Sequence, residues 1–440
     1  MNTTSAAEAP NRPADRPANR PKDRLDGAAW MATLAGMAGS LVAIGLARFA
    51  YSPLVPSLIE AHWFSAGDAV TLGAANFAGY LAGALLGRPL AGLLPSRALL
   101  RLLMLAASLA FIACAYPLSL GWFFAWRFVS GLAGGSIMVL VATSILPHIP
   151  ASRRGFVSGM IFLGIGLGIA ASGTAVPALM RLGLHETWLG LGGLSLLLTA
   201  LSWFGWPPSA APQGIAAPAV EHAPRHEGGV LRSLYAEYAL NALGLVPVML
   251  LLVDYVARGL HQGADVGALY WVLYGVASVA GPVAAGSLAD RVGYAAAYRI
   301  ALLLQAAAVA TLALSGHPLV VGAATVVIGA LTPGVVPLVL GRIHELLPHG
   351  QTEQRAAWSR ATTAFALFQA LGGYGYSYLF THSGESYAAV FLCGAVALMI
   401  ALGANILANA RRHRHARKDL AGKDLARKDQ AGKPAAVIRS

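Results

Sequence analysis

Long apolar stretches alternate with short polar breaks along almost the whole chain. Twelve of them reach the length of about 20 residues that carries an α-helix across a bilayer core. They run over 30–59, 69–94, 98–118, 121–147, 156–181, 187–206, 233–257, 266–289, 295–315, 318–342, 356–380 and 386–408. None breaks into the short alternating segments of a membrane β-barrel. The pattern predicts an all-α membrane protein with twelve transmembrane helices. Residues 1–29 are polar and rich in Pro, Arg, Asp and Ala, and read as a disordered tail. The apolar run that follows is too long for the core of a signal peptide. A stretch rich in Pro, Ala, His and Gly at 207–232 has no apolar period and reads as a linker. It divides the spans into a six-helix bundle at 30–206 and a second at 233–408. The segment 409–440 repeats Lys418-Asp419, Lys423-Asp424 and Lys428-Asp429, and reads as a basic, solvated tail.

Composition narrows the class. Charged residues make up 11% of the 440, against roughly 25% in an ordinary soluble domain. That excludes a soluble enzyme, a nucleic-acid-binding domain and a disordered chain. The net charge of +12 does not imply a nucleic-acid partner, because five of the 31 Lys and Arg precede residue 30 and ten follow residue 410. The remaining short breaks carry Arg97, Arg101, Arg153, Arg154, Arg225, Arg232, Arg291, Arg299 and Arg355 on one side, and only Arg181 and Arg258 on the other. The positive-inside bias therefore predicts that both termini are cytoplasmic. Cys114 and Cys393 both lie in apolar runs and suggest neither a disulfide framework nor a metal site. No HExxH, GxSxG or Walker A motif is present, so no catalytic residue, cofactor or metal is expected.

A local pattern recurs. Gly87, Gly92 and Arg97 close the second span, and Gly281, Gly286 and Arg291 close the eighth, at an offset of 194 residues. A duplicated six-helix unit gives such a repeat. The stretch Gly286-Ser-Leu-Ala-Asp290-Arg291-Val-Gly293 resembles the signature of the major facilitator superfamily, and Arg127-Phe-Val-Ser-Gly131-Leu-Ala-Gly134-Gly135 resembles that superfamily's fourth-helix motif. In the first and second spans, Gly45-Leu-Ala-Arg48-Phe-Ala-Tyr51-Ser-Pro53 and Asn76-Phe-Ala-Gly79-Tyr80-Leu-Ala-Gly83 are similar to the YbfB/YjiJ-like branch. The first-half copy of the signature departs by carrying Ser96 in place of Asp. No Gly-Pro of the kind seen in many superfamily antiporters stands in the fifth span. The resemblance implies two six-helix bundles around a central cavity, in a bacterial inner (plasma) membrane.

Several residues stand out against the apolar background. Arg48 lies deep in the first span, where a charge is costly and needs a wet cavity or a partner. It reads either as an anion-binding fork of donors or as a donor to carbonyls freed by Pro53. Arg127 reads either as a second cavity residue or as a packing donor. Tyr51, Asn76, Tyr80, Trp126, Asn241, Tyr270, Tyr274, Gln305, Gln369 and Tyr374 could complete a pocket. Acids are confined to expected span ends: Glu60, Asp68, Glu237, Asp254 and Asp290. Asp254 is the candidate coupling group, with an interfacial, water-contacting charge as the alternative. The resemblance implies that Gly286, Asp290, Arg291 and Gly293 form a conformational latch. Gly372-Gly373-Tyr374-Gly375 and Thr332-Pro333-Gly334 with Pro337 read as breaks or kinks in the eleventh and tenth spans.

The expected function is secondary active transport of a small polar solute by alternating access, with Arg48 and Arg127 tilting the choice to an organic anion. The alternatives are a broad-specificity efflux carrier and a membrane sensor that binds a solute without moving it. The expected partners are that solute, the lipid bilayer and a coupling ion such as H+. A monomer is expected.

Overall fold

The structure is a computed structural model that describes residues 25–150, 153–208, 225–348 and 351–431. The described residues form twelve helical rods. The first half holds α1 (Gly27–Glu60), α2 (Ala66–Leu93), α3 (Ser96–Cys114), α4 (Leu120–Ile145), α5 (Arg154–Met180) and α6 (Leu184–Ser202). The second holds α7 (Arg225–Asp254), α8 (Ala264–Val292), α9 (Tyr294–Leu314), α10 (Pro318–Leu346), α11 (Gln351–His382) and α12 (Tyr387–Ala431). Ten of the rods are long and apolar enough to cross a membrane. The exceptions, α6 and α11, open on polar residues such as His185, Glu186, Gln351 and Glu353. Leu93, Phe204 and Leu319 lie exposed on the outside, as suits an integral membrane protein bathed in lipid.

Two differences from the sequence reading concern the linker and the tail. The chain is already helical at Arg225, before the expected linker end at 232, and α12 runs on to Ala431. Much of the expected N-tail, linker centre and extreme C-terminus lies outside the described residues. A third difference concerns the expected breaks. Both α10 and α11 are continuous through Pro333, Pro337 and the Gly372–Gly375 run. There the glycine at 373 serves close packing, since an added Cβ would stand 2.8 Å from Ala74 on α2.

Local sequence explains where the rods start. The side chains of Asp26, Ser65 and Ser119 accept the N–H of Ala29, Asp68 and Trp122 at 2.7, 3.1 and 3.0 Å, capping α1, α2 and α4. At the end of α8, Gly293 takes φ +81°, a left-handed cap that a side chain would strain. The internal repeat is visible in the packing: α2 lies on α4 as α8 lies on α10. A Cβ on Gly131 would meet the Asn76 carbonyl oxygen at 2.0 Å, and one on Gly281 the Ala330 carbonyl oxygen at 1.8 Å. Small residues let both pairs of backbones touch.

An even number of rods puts both described chain ends on one face, called here the terminal face. Each half has its own apolar core, but Ile44, Phe49, Val70, Phe77 and Ile169 of the first half belong to the core of the second. The halves meet along α2/α11 and α5/α8, while α4 and α10 make no extensive contact with each other. The seam is tied toward the face opposite the termini. Thr71 and Ser377 share a hydroxyl hydrogen bond of 2.7 Å, and Ser377 also donates to the Gly67 carbonyl at 3.2 Å. Trp271 Nε1 donates to Ser172 Oγ at 3.0 Å, and Ser52 donates to the Met249 carbonyl.

Candidate functional site

Helix α1 is irregular where its charge sits. A π-helical turn spans Leu41–Leu46, followed by a short α-helical piece at Ala47–Phe49 and a 3₁₀ turn at Ser52–Leu54. The wide turn changes the face that later residues present, and such turns recur at functional sites. Pro53 removes an N–H and weakens the ladder just beyond. The Ala47 carbonyl in this broken stretch is taken by Arg127 Nη1 at 2.8 Å.

That hydrogen bond holds Arg127 inside the first bundle, with its Nε buried and unpaired. Its guanidinium lies 4.2 Å from the Tyr51 ring centre, and its surroundings are Phe111, Cys114, Ser130 and Trp188. The two arginines have different surroundings: Arg127 gives Nη1 to a carbonyl in the broken stretch of α1, whereas Arg48 turns to the seam.

Arg48 points to where the halves meet. Its guanidinium carbon lies 5.6 Å from the Phe49 ring centre, 4.7 Å from Phe77 and 4.9 Å from Tyr80. Tyr238 and Tyr274 of the second half are within electrostatic reach of its charge. Its Nε and Nη2 are buried and have no hydrogen-bond partner. Rings can cover the faces of a guanidinium, but its N–H donors lie in the plane and require acceptors there. No acid side chain fills that edge in the described ion pairs.

The same edge is filled at Arg258. There Nε donates to Asp254 Oδ1 at 2.6 Å and Nη2 to Oδ2 at 2.8 Å. Tyr387 adds a 2.7 Å hydrogen bond to Oδ2, and Arg258 Nη1 reaches Glu385 at 3.1 Å. Asp254 is fully buried, so it is not the water-contacting charge expected as the alternative, nor does it meet a cavity arginine. Fully paired, it suits a clamp between α7 and α12 better than a proton carrier. Removing one partner of a buried pair strands the other. Asp254→Asn should therefore lower unfolding stability by about 3 kcal/mol, at the low end for buried pairs because Arg258 stays partly exposed. A thermal melt in detergent measures this, and an unchanged melt would show the clamp to be dispensable.

The remaining candidates scatter. Tyr51 donates to the Ala69 carbonyl at 2.7 Å, and Asn76 Nδ2 to Ser130 Oγ at 2.8 Å, both within the first bundle. Asn241 Nδ2 donates to Gln305 Oε1 at 2.7 Å within the second. Gln369 Nε2 lies 3.3 Å from Met249 Sδ, and its Oε1 is unpaired. Tyr374 lies away from Arg48, in a groove of about 290 Å³ on the opposite face with Asp68, Thr71 and Ser377. Asp290, Arg291 and Gly293 are exposed at the terminal-face end of α8, and Gly286 is half-buried there.

The sequence reading passed over several aromatic residues near Arg48 and placed Glu237 only as an acid at a span end. Phe49, Phe77, Tyr238, Trp271, Trp358 and Phe365 carry no signal that separates them from ordinary apolar positions, yet Phe49 and Phe77 lie against Arg48 and the others make further ring contacts near the seam. Glu237 is buried at 2% exposure, accepting from Ser233 at 2.7 Å and Asn405 at 2.9 Å. The i,i+4 spacing of Asp254 and Arg258 was a legible signal for their pairing.

Residues 40–406 match a family model described as "Uncharacterised MFS-type transporter YbfB". No curated protein matches the chain. Among solved structures, the chain is similar to a D-xylose-proton symporter, at a TM-score of 0.66 and 17% identity, over 85% of this chain and 97% of that one. It is also similar to the xylose transporter XylE from E. coli in a partially occluded inward open conformation, at a TM-score of 0.66 and 15% identity, over 86% of this chain and 97% of the other. At these identities the likeness shows the fold: two six-helix bundles around a central cavity.

Proposed function

The chain belongs to the major facilitator superfamily of membrane transporters, in the family described for YbfB, and from that premise we propose that it moves a small organic anion by alternating access, with Arg48 as the anchor. The observation that carries this is the open Nε/Nη2 edge of Arg48, buried between the halves with no acceptor. That edge holds a carboxylate at Arg258 in the same molecule. A buried cation without a counter-charge is costly, and an anionic ligand supplies the missing charge. Among the described residues no acid is paired with Arg48, which disfavours a carrier of lipophilic cations. Uptake into proteoliposomes, compared between the chain and Arg48→Gln, tests the reading and separates a carrier from a sensor that only binds.

In this proposal the terminal face is cytoplasmic, as the arginine distribution indicates, and the membrane is a bacterial inner membrane. The seam closed on the opposite face then corresponds to an inward-facing state of a monomeric carrier. The inner-face signature on α8 acts as a latch that closes in the outward-facing state and is released here, consistent with Asp290 and Arg291 both being exposed. Asp290→Asn should slow turnover several-fold while leaving ligand affinity within about twofold, because an exposed group remote from Arg48 has no route to the ligand. Initial rates against binding in the same preparation check this, and an affinity loss with normal turnover would contradict it. A coupling ion, H+, completes the proposal, and a pH gradient imposed across the vesicle should drive uphill uptake.

A further inference from the structure

Aromatic rings drawn from both halves lie around Arg48 and beyond it. Phe49, Phe77 and Tyr80 come from α1 and α2. From α8, Trp271 and Tyr274 stack at 4.9 Å with an 11° angle between their planes, and Trp271 lies 6.2 Å from Phe49. From α7 and α11, Tyr238 lies 4.6 Å from Phe365 and 6.3 Å from Trp358. Trp358 and Phe365 are only half-buried, on the side toward the terminal face.

We propose that the ligand anchored by Arg48 is an aromatic monocarboxylate: one carboxylate on a flat, apolar body. This rests on the Arg48 reading above and adds the substrate class to it. The single carboxylate follows from the supply of cations. Arg127 gives Nη1 to the Ala47 carbonyl and faces the Tyr51 ring, and although its Nε is unpaired, the hollow it lines has no room for a water molecule. Arg258 is held by Asp254 and Glu385. Neither is open to a second carboxylate. The flat apolar body follows from these rings and from how nearby polar groups are used. The Tyr274 hydroxyl donates to Thr332 at 2.7 Å. The Asn76 and Asn241 Nδ2 groups donate to partners inside their own bundles, leaving only their buried Oδ1 atoms unpaired. A polyhydroxylated body would shed hydration and find few replacement hydrogen bonds. A planar ring stacks on aromatic walls in offset or edge-to-face geometry. The chemistry around Arg48 is thus unlike what a sugar would need, although two solved structures similar in fold are xylose transporters.

The test uses the full-length chain in proteoliposomes and in detergent. Benzoate, phenylacetate and indole-3-acetate are compared with acetate, succinate, benzamide and xylose, by thermal shift and by competition in counterflow. The expected result is that at least one aromatic monocarboxylate raises the melting temperature and exchanges. Acetate, succinate and benzamide should be weaker by about tenfold or more. Arg48→Gln should abolish the response. Tyr238→Leu should weaken the aromatic acid by a larger factor than acetate, whereas Tyr238→Phe should retain the aromatic preference. If succinate or acetate binds as well as the aromatic acids and the response needs Arg48, the anchor stands and the aromatic class is overturned. If xylose or benzamide acts equally on the chain and on Arg48→Gln, the anchor reading fails and this class fails with it. If none of the three aromatic acids shifts or exchanges, the class is likewise overturned.

Discussion

Replacing Arg48 by Gln should reduce transport of the anionic ligand by roughly 30-fold or more, the cost of removing one member of a desolvated charge pair. The same change should leave the empty protein at least as stable as before. The two expectations belong together. In the ligand-free state Arg48 is a cation with two buried, unsatisfied donors, and such a group opposes folding unless it is paired. A Gln fits the same space without the charge. Were Arg48 a structural donor, as Arg127 is to Ala47, its loss would lower the melting temperature and leave ligand selectivity alone. Arg48→Lys divides the effect further, because it keeps the charge but loses the planar fork. Its affinity should fall between the chain and Arg48→Gln. Flux, ligand affinity and the apo melt, measured on the three proteins, check the set. A destabilised apo Arg48→Gln with residual flux in proportion to folded protein would assign Arg48 to the scaffold.

Joining Thr71→Cys to Ser377→Cys should stop transport under oxidising conditions, and reduction should restore it. The two hydroxyls lie 2.7 Å apart on α2 and α11, so the Cβ atoms stand near the separation a disulfide needs. If alternating access requires α2 and α11 to part on that face, a covalent link there holds the protein open only toward the terminal face. Flux should fall to the level of empty vesicles, while binding of the ligand from the terminal side persists. The background should carry Cys393→Ser, since Cys393 is exposed, while Cys114 is buried and can stay. Undiminished flux through a demonstrably cross-linked protein would show that this seam does not open.

The membrane-spanning pattern was legible because the bilayer imposes it residue by residue: a helix crossing hydrocarbon must be apolar over its length. The spans, the division near residue 207 and the internal repeat follow from composition and spacing alone. Arg48 was legible for the same reason, since one guanidinium in an apolar run has no local means of satisfaction. What the chain could not reveal by itself is who answers each polar group. Periodicity places a residue on a face of its own helix, but its neighbour comes from another helix, set by how glycine-lined surfaces such as Gly131 on Asn76 allow backbones to approach. Tertiary structure therefore decided that Arg127 serves Ala47, that Asp254 is clamped by Arg258 and Tyr387, and that Tyr374 lies at a distant groove. It also gathered rings from α1, α2, α7 and α8 around the unpaired edge of Arg48. Aromatic side chains look alike in an apolar sequence, and only packing separates those that wall a site from those that fill a core.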